Sequence, residues 1–123
     1  MSNFRRTQAW PEVVDFYTAL VEERSRPLQP MLSLVQFLAS GRYGRSLFPC
    51  ISDATLLIGR APNFQAGDGE LQIQFDESGQ SFRFTYLQRP DDVNPWTREC
   101  TAGEWRHVLE RLLHKRLQWF HEG

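Results

Sequence analysis

Apolar positions recur every three or four residues through the first forty residues, every second residue across the middle, and every three or four again near the end. In AWPEVVDFYTALVEERSRP, Val13, Phe16, Tyr17, Leu20 and Val21 form one stripe, which predicts an amphipathic helix. Pro11 suits the first turn and Glu12 the positive end of the helix dipole; Arg24 and Arg26 suit the negative end, and Pro27 stops the helix. QPMLSLVQFLASG predicts a second helix, with Pro30 in its first turn and Gly41 in the left-handed position just past its end. Met31, Leu34, Val35 and Leu38 make its inner stripe, and Leu32 and Phe37 beside them call for contact on more than one side.

The period then drops to two. LFPCIS and TLLIGRA read as a hairpin turning near Asp53, and Pro49, which cannot donate to a ladder, marks the first run as an edge strand. ELQIQFD sets Leu71, Ile73 and Phe75 against Gln72 and Gln74; SFRFTYL sets Phe82, Phe84 and Tyr86 against Ser81, Arg83 and Thr85. The DESGQ between them supplies the turn. QRPDDVNPWTREC reads as a polar connector. A last helix opens on a Thr101–Glu104 capping box. It buries Trp105, Val108, Leu109, Leu112, Leu113, Leu117 and Phe120, and leaves Arg106, Glu110, Arg111, His114, Lys115 and Gln118 wet.

Runs of helices and runs of strands, rather than alternation, predict an α+β fold. The expected order is ααββββα: a four-stranded, meander-like antiparallel sheet packed on one face by the N-terminal and C-terminal helices, in two layers, as a single domain over residues 1–123. A chain of this length can bury enough surface to fold without metal or disulfide.

The formal net charge of −1 weighs against a dedicated nucleic-acid binder. All the basic side chains but Lys115 are arginine, the better bidentate partner for carboxylate and phosphate. No window approaches the ~18 continuous apolar residues of a membrane span, and no apolar leader follows Arg5 and Arg6, so a cytoplasmic location is expected. Cys50 and Cys100 are then reduced thiols, without the spacing of a redox or zinc site.

Catalytic and metal signatures are weak, and no metal or cofactor is expected. His107, His114 and His121 share a helix face at seven-residue steps, roughly 10 Å apart, too far for neighbours to share one ion. Ser40 and Ser46 flank glycines without forming a nucleophile elbow. AGDGE and PDDVN lack the ligand order of a calcium loop, and phosphate-binding glycine motifs are missing. Cys100, just before a helix start, offers the best reactivity argument.

The candidate binding residues are Arg42, Tyr43, Arg45, Arg83 and Trp96: an Arg-Tyr pair between Gly41 and Gly44, a second loop arginine, an arginine on the wet sheet face, and a tryptophan in a polar loop. The expected function is a non-enzymatic protein-interaction module, adaptor-, regulator- or immunity-like. Its protein partner or second copy would be held through the edge strand at 47–52 or the open sheet face. The alternatives are a small enzyme using Cys100 and His107, or a nucleic-acid accessory protein using Arg42, Arg45 and Arg83.

Overall fold

The computed structural model describes residues 3–121. Its strands are β1 Phe48–Ser52, β2 Thr55–Gly59, β3 Glu70–Asp76, β4 Ser81–Leu87 and β5 Trp96–Thr101. They form one antiparallel sheet in chain order, a meander. The helices are α1 Trp10–Glu22, α2 Gln29–Ala39, α3 Gly41–Ser46 and α4 Trp105–Arg111, which runs on into a π-helical turn, Leu112–Arg116. Among the described residues no helix is long and apolar enough to cross a membrane.

The mixed helix and antiparallel-sheet fold matches expectation, but the sheet has five strands rather than four. The extra strand, β5, lies in the stretch read as a connector. Its register sets Trp96 opposite Tyr86, Arg98 opposite Phe84 and Cys100 opposite Phe82. With an arginine in the middle of its inward row, β5 carries no apolar alternation; pairing with β4 makes it a strand. Gly41–Ser46, which carries the Arg-Tyr pair and the arginine expected in a loop, is a short helix. Gly41 takes the expected left-handed φ of +59°. Gly44 makes no turn; it sits inside α3, where an added Cβ would run into the Ala39 carbonyl.

The two faces of the sheet are as the alternation demands. Leu71, Ile73, Phe82 and Phe84 are buried, with Leu56 and Ile58 beside them, while Gln74 and Arg83 are exposed on the other side. Each enclosed side chain of this size contributes roughly 1.5–3 kcal/mol. α2 buries Met31, Leu32, Leu34, Val35 and Leu38, the two-sided burial its composition called for. α1 ends before Arg24 and Arg26; Arg26 instead pairs with Glu77 at the β3–β4 turn, 2.5 and 3.1 Å. The capping box is half formed: Glu104 Oε1 accepts from the Thr101 N–H (3.1 Å) and hydroxyl (2.9 Å), but the helix proper starts at Trp105.

Two further contacts position the sheet. The hairpin loop Asp53–Ala54 has φ of +49° and +63°, a two-residue turn matched to strand twist, and the buried Tyr17 hydroxyl donates to the Ala54 carbonyl at 2.8 Å. Burial pushes that hydroxyl's pKa up, so it stays a donor. The N-terminal arm crosses the other face and edge. Arg5 makes a bidentate pair with the fully buried Glu70, 2.8 and 3.2 Å. Glu70 also accepts from Gln72 Nε2 (2.6 Å) and the Gly67 N–H (3.3 Å). Gln8 donates its N–H to the Pro49 carbonyl (2.8 Å) and accepts from the Ile51 N–H (3.2 Å). β1 is thus an edge strand, as Pro49 implied, but its outward groups are already engaged by Gln8.

Two stability predictions follow from these contacts. Arg5→Ala strands a buried carboxylate and should cost about 3 kcal/mol in chemical denaturation, whereas Arg26→Ala, in a half-exposed pair, should cost about 1 kcal/mol or less. Equal losses would contradict the distinction. Ala54→Gly relieves a left-handed alanine and should raise stability by about 0.5–1 kcal/mol, read as an increase in Tm.

Candidate functional site

Four cations without an ion-pair partner among the described residues lie together where β5 meets the C-terminal helix. β5 inherits its facing from β4. Because Phe82 and Phe84 point into the core, the residues opposite them, Cys100 and Arg98, point to the same side, with Trp96 one step further. β5 is the last strand, so Arg98 emerges at the rim and is exposed. α4 buries Val108 and Leu109. Its opposite spacing, His107, Arg111 and then Lys115 at four-residue steps, forms a polar row that faces the same rim.

The π-helical turn completes the wall. The Leu117 N–H bonds the Leu112 carbonyl at 2.8 Å, one residue wider than an α-helix. The Leu113 carbonyl then accepts from the Trp119 N–H (2.9 Å), with Gln118 in the left-handed region at φ +56°. This widened ending sets the Arg116 guanidinium over the Trp96 ring, 5.4 Å from its centre. The result is a groove of about 440 Å³ lined by Trp96, Arg98, His107, Arg111, Lys115 and Arg116, with Val108 and Leu112 at its floor. Among the described residues no carboxylate lines it. Among the described residues none of its four permanent cations has an ion-pair partner, whereas Arg5, Arg26, Arg83 and Arg106 each do. Glu104 feels Arg98, but its carboxyl is held below its ordinary value first by the Thr101 N–H and hydroxyl.

Of the five candidate residues read from the sequence, Trp96 alone lines this groove. Arg83 lies on the opposite sheet face, paired with Glu99 at 2.9 and 2.6 Å. Arg45 sits beside Trp10, Pro11 and Pro49 in a separate depression. Arg42 and Tyr43 turn to the C-terminal segment. The buried Tyr43 donates its hydroxyl to His114 Nε2 at 2.8 Å, and Arg42 donates to the same nitrogen at 3.1 Å and to the His121 carbonyl at 3.3 Å. Arginine can only donate, so Nε2 accepts and the ring proton of the neutral imidazole sits on Nδ1, which is buried without a partner among the described residues. Phe120 packs edge-on to Tyr43, 4.8 Å between centres. The Arg-Tyr segment therefore latches the chain's end in place. His114, expected on the wet side, is half-buried in that latch.

The groove cations were partly legible. His107, Arg111 and Lys115 show their common row by spacing. Arg98 and Arg116 do not, because one needs β5 and the other needs the widened turn.

The two thiols are unpaired. Cys50 shares the open face with Leu57 and Gln72, and Cys100 the core face with Phe82, at opposite edges of a five-stranded sheet. Four strand spacings, roughly 19 Å, separate them. Burial first, and then the neighbouring Glu104, push the Cys100 thiol above its ordinary pKa; burial does the same for Cys50. Among the described residues no three His, Cys, Asp or Glu side chains converge on a point that would hold a metal.

Thiolate is the reactive form, so alkylation of Cys100 in a Cys50→Ser variant should rise with pH to a midpoint above that of a free thiol, followed by mass spectrometry. A midpoint near neutrality would mark an activated nucleophile instead. Neither a protein-family model, a curated protein nor a solved structure matches this chain, so the groove is read from its own geometry.

Proposed function

We propose that the protein is a non-enzymatic interaction module, adaptor- or regulator-like, whose groove between β5 and the C-terminal helix holds an acidic segment of a protein partner. The observation that carries this reading is the set of four cations, unpaired among the described residues, around a half-buried tryptophan, in a chain whose net charge is −1. Leaving such charges unneutralised side by side costs self-repulsion that a carboxylate-bearing ligand removes. Three are arginines, suited to bidentate carboxylate contacts, and Trp96 with Arg116 resembles the aromatic-plus-arginine anchors that dominate binding energy at interfaces.

The alternative readings have less support. An enzyme using Cys100 and His107 would need the thiol deprotonated and aimed at the imidazole; burial raises the thiol's pKa, and Cys100 packs against the core while His107 lines the groove. A nucleic-acid surface built on Arg42, Arg45 and Arg83 loses two of its three cations to contacts within the chain.

The test is calorimetric titration with a decamer of glutamate. Binding at 50 mM salt should weaken at least tenfold at 500 mM, and the Arg111→Glu/Lys115→Glu double variant should lose it. No binding at low salt, or binding indifferent to the double variant, sinks the proposal.

A further inference from the structure

Resting on the groove reading above, the geometry points to a more specific site: the open outer edge of β5, where an extended acidic segment of a partner protein adds as a sixth strand and sends alternate carboxylates into the groove.

The two-residue turn at Asp53–Ala54 makes Ser52 and Thr55 a hydrogen-bonded pair, and antiparallel pairing alternates from there. Carried through the register of β2, β3 and β4, this alternation turns the main-chain groups of Trp96, Arg98 and Cys100 toward β4. Those of Thr97, Glu99 and Thr101 turn outward. The hydrogen bonds agree: the Thr101 N–H meets Glu104 Oε1 at 3.1 Å and its carbonyl accepts the Glu104 N–H at 3.0 Å, both off the sheet edge. Thr101 is thus stoppered by its own cap. Among the described residues the outward N–H and C=O of Thr97 and Glu99 have no partner, and both residues are exposed. At the opposite edge Gln8 occupies the corresponding groups of β1. One edge is covered and the other is open.

The open edge adjoins the cations. Arg98 projects from β5 between the two open residues, on the helix side. Arg111 and Lys115 stand one helical turn apart, about 6 Å of rise, close to the ~6.8 Å between alternate residues of a strand. A strand laid along β5 with acidic residues at every second position presents its carboxylates to the groove at nearly that interval. This juxtaposition selects a peptide over a nucleic acid, since only a peptide matches both the main-chain groups and the cations. Two of the symmetric pairings of a second copy bring like charges together. Antiparallel self-pairing of β5 centred on Arg98 sets Arg98 against its own copy, and centring on Glu99 does the same for Glu99.

The test uses two synthetic octapeptides of one composition, Glu alternating with Thr and Val in the first, Glu grouped at one end in the second. The alternating peptide should bind about tenfold tighter, slow hydrogen exchange at the Thr97 and Glu99 amides, and lose about tenfold when its strand-facing amides are N-methylated. Arg98→Glu should reduce binding about tenfold, and an alternating Lys peptide should recover it, which also proves that the variant folds. If both Glu peptides bind alike and leave the Thr97 and Glu99 amides unprotected, strand addition is overturned while the groove stands. If neither binds, both readings fall. If an oligothymidylate of eight nucleotides binds more tightly than either, or the free protein sediments as a dimer with those two amides protected, the partner class is overturned.

Discussion

Strand register is the constraint on which the molecule depends. A strand's side chains alternate strictly, so a slip of one residue would exchange the dry and wet faces of the whole meander. The turn at Asp53–Ala54 admits one register only, and the Tyr17 hydroxyl holds it from inside the helical layer. From that turn outward, each pairing decides the next: Leu56 with Ile73, Ile73 with Phe84, Phe84 with Arg98. The last of these puts a guanidinium where a core residue would otherwise stand. The same rule that builds the core therefore delivers a cation to its rim.

Charge is sorted around this frame. Arg5, Arg26, Arg83 and Arg106 are each matched to a carboxylate, and in four different parts of the fold. Only the first of these pairs includes a fully enclosed partner, Glu70, so only there does geometry carry much stability. Among the described residues, four cations without such a partner share the junction of β5 with the C-terminal helix. A net charge near zero conceals this arrangement, because it averages neutralised pairs with a groove that is not neutralised.

Most of the fold could be read from periodicity. The inward rows of β3 and β4, the edge position of β1 and the two-sided burial of α2 all follow from which positions are apolar. What could not be read has a common cause. β5 is a strand because β4 offers it partners, not because Trp96, Arg98 and Cys100 form an apolar row. The π-helical turn is a matter of which carbonyl Leu117 reaches. Tyr43 and Arg42 look like a surface pair until His114 and Phe120 close on them from the far end of the chain. β5 and the Tyr43 latch are long-range contacts and the widened turn has no signature in residue type; the groove is built from β5 and that turn. Residue type suggested five places where binding could occur; Trp96 lines the groove, and Arg42, Tyr43, Arg45 and Arg83 lie elsewhere in the fold.

The difference between the two sheet edges carries the argument furthest. An exposed strand edge invites uncontrolled pairing, and proteins usually cover it or interrupt it with charge. Here Gln8 covers β1, through two hydrogen bonds from an arm anchored at Arg5. β5 is protected otherwise: Thr101 is stoppered, and self-pairing centred on Arg98 or on Glu99 would be a meeting of like charges. That second device is selective where the first is not. It disfavours those two pairings with another copy, yet it leaves the edge free for a segment of opposite charge pattern. A fold that needed only to avoid aggregation could have closed both edges as it closed β1. The cations beside the edge left open are what an acidic strand, and not a basic or neutral one, would find favourable.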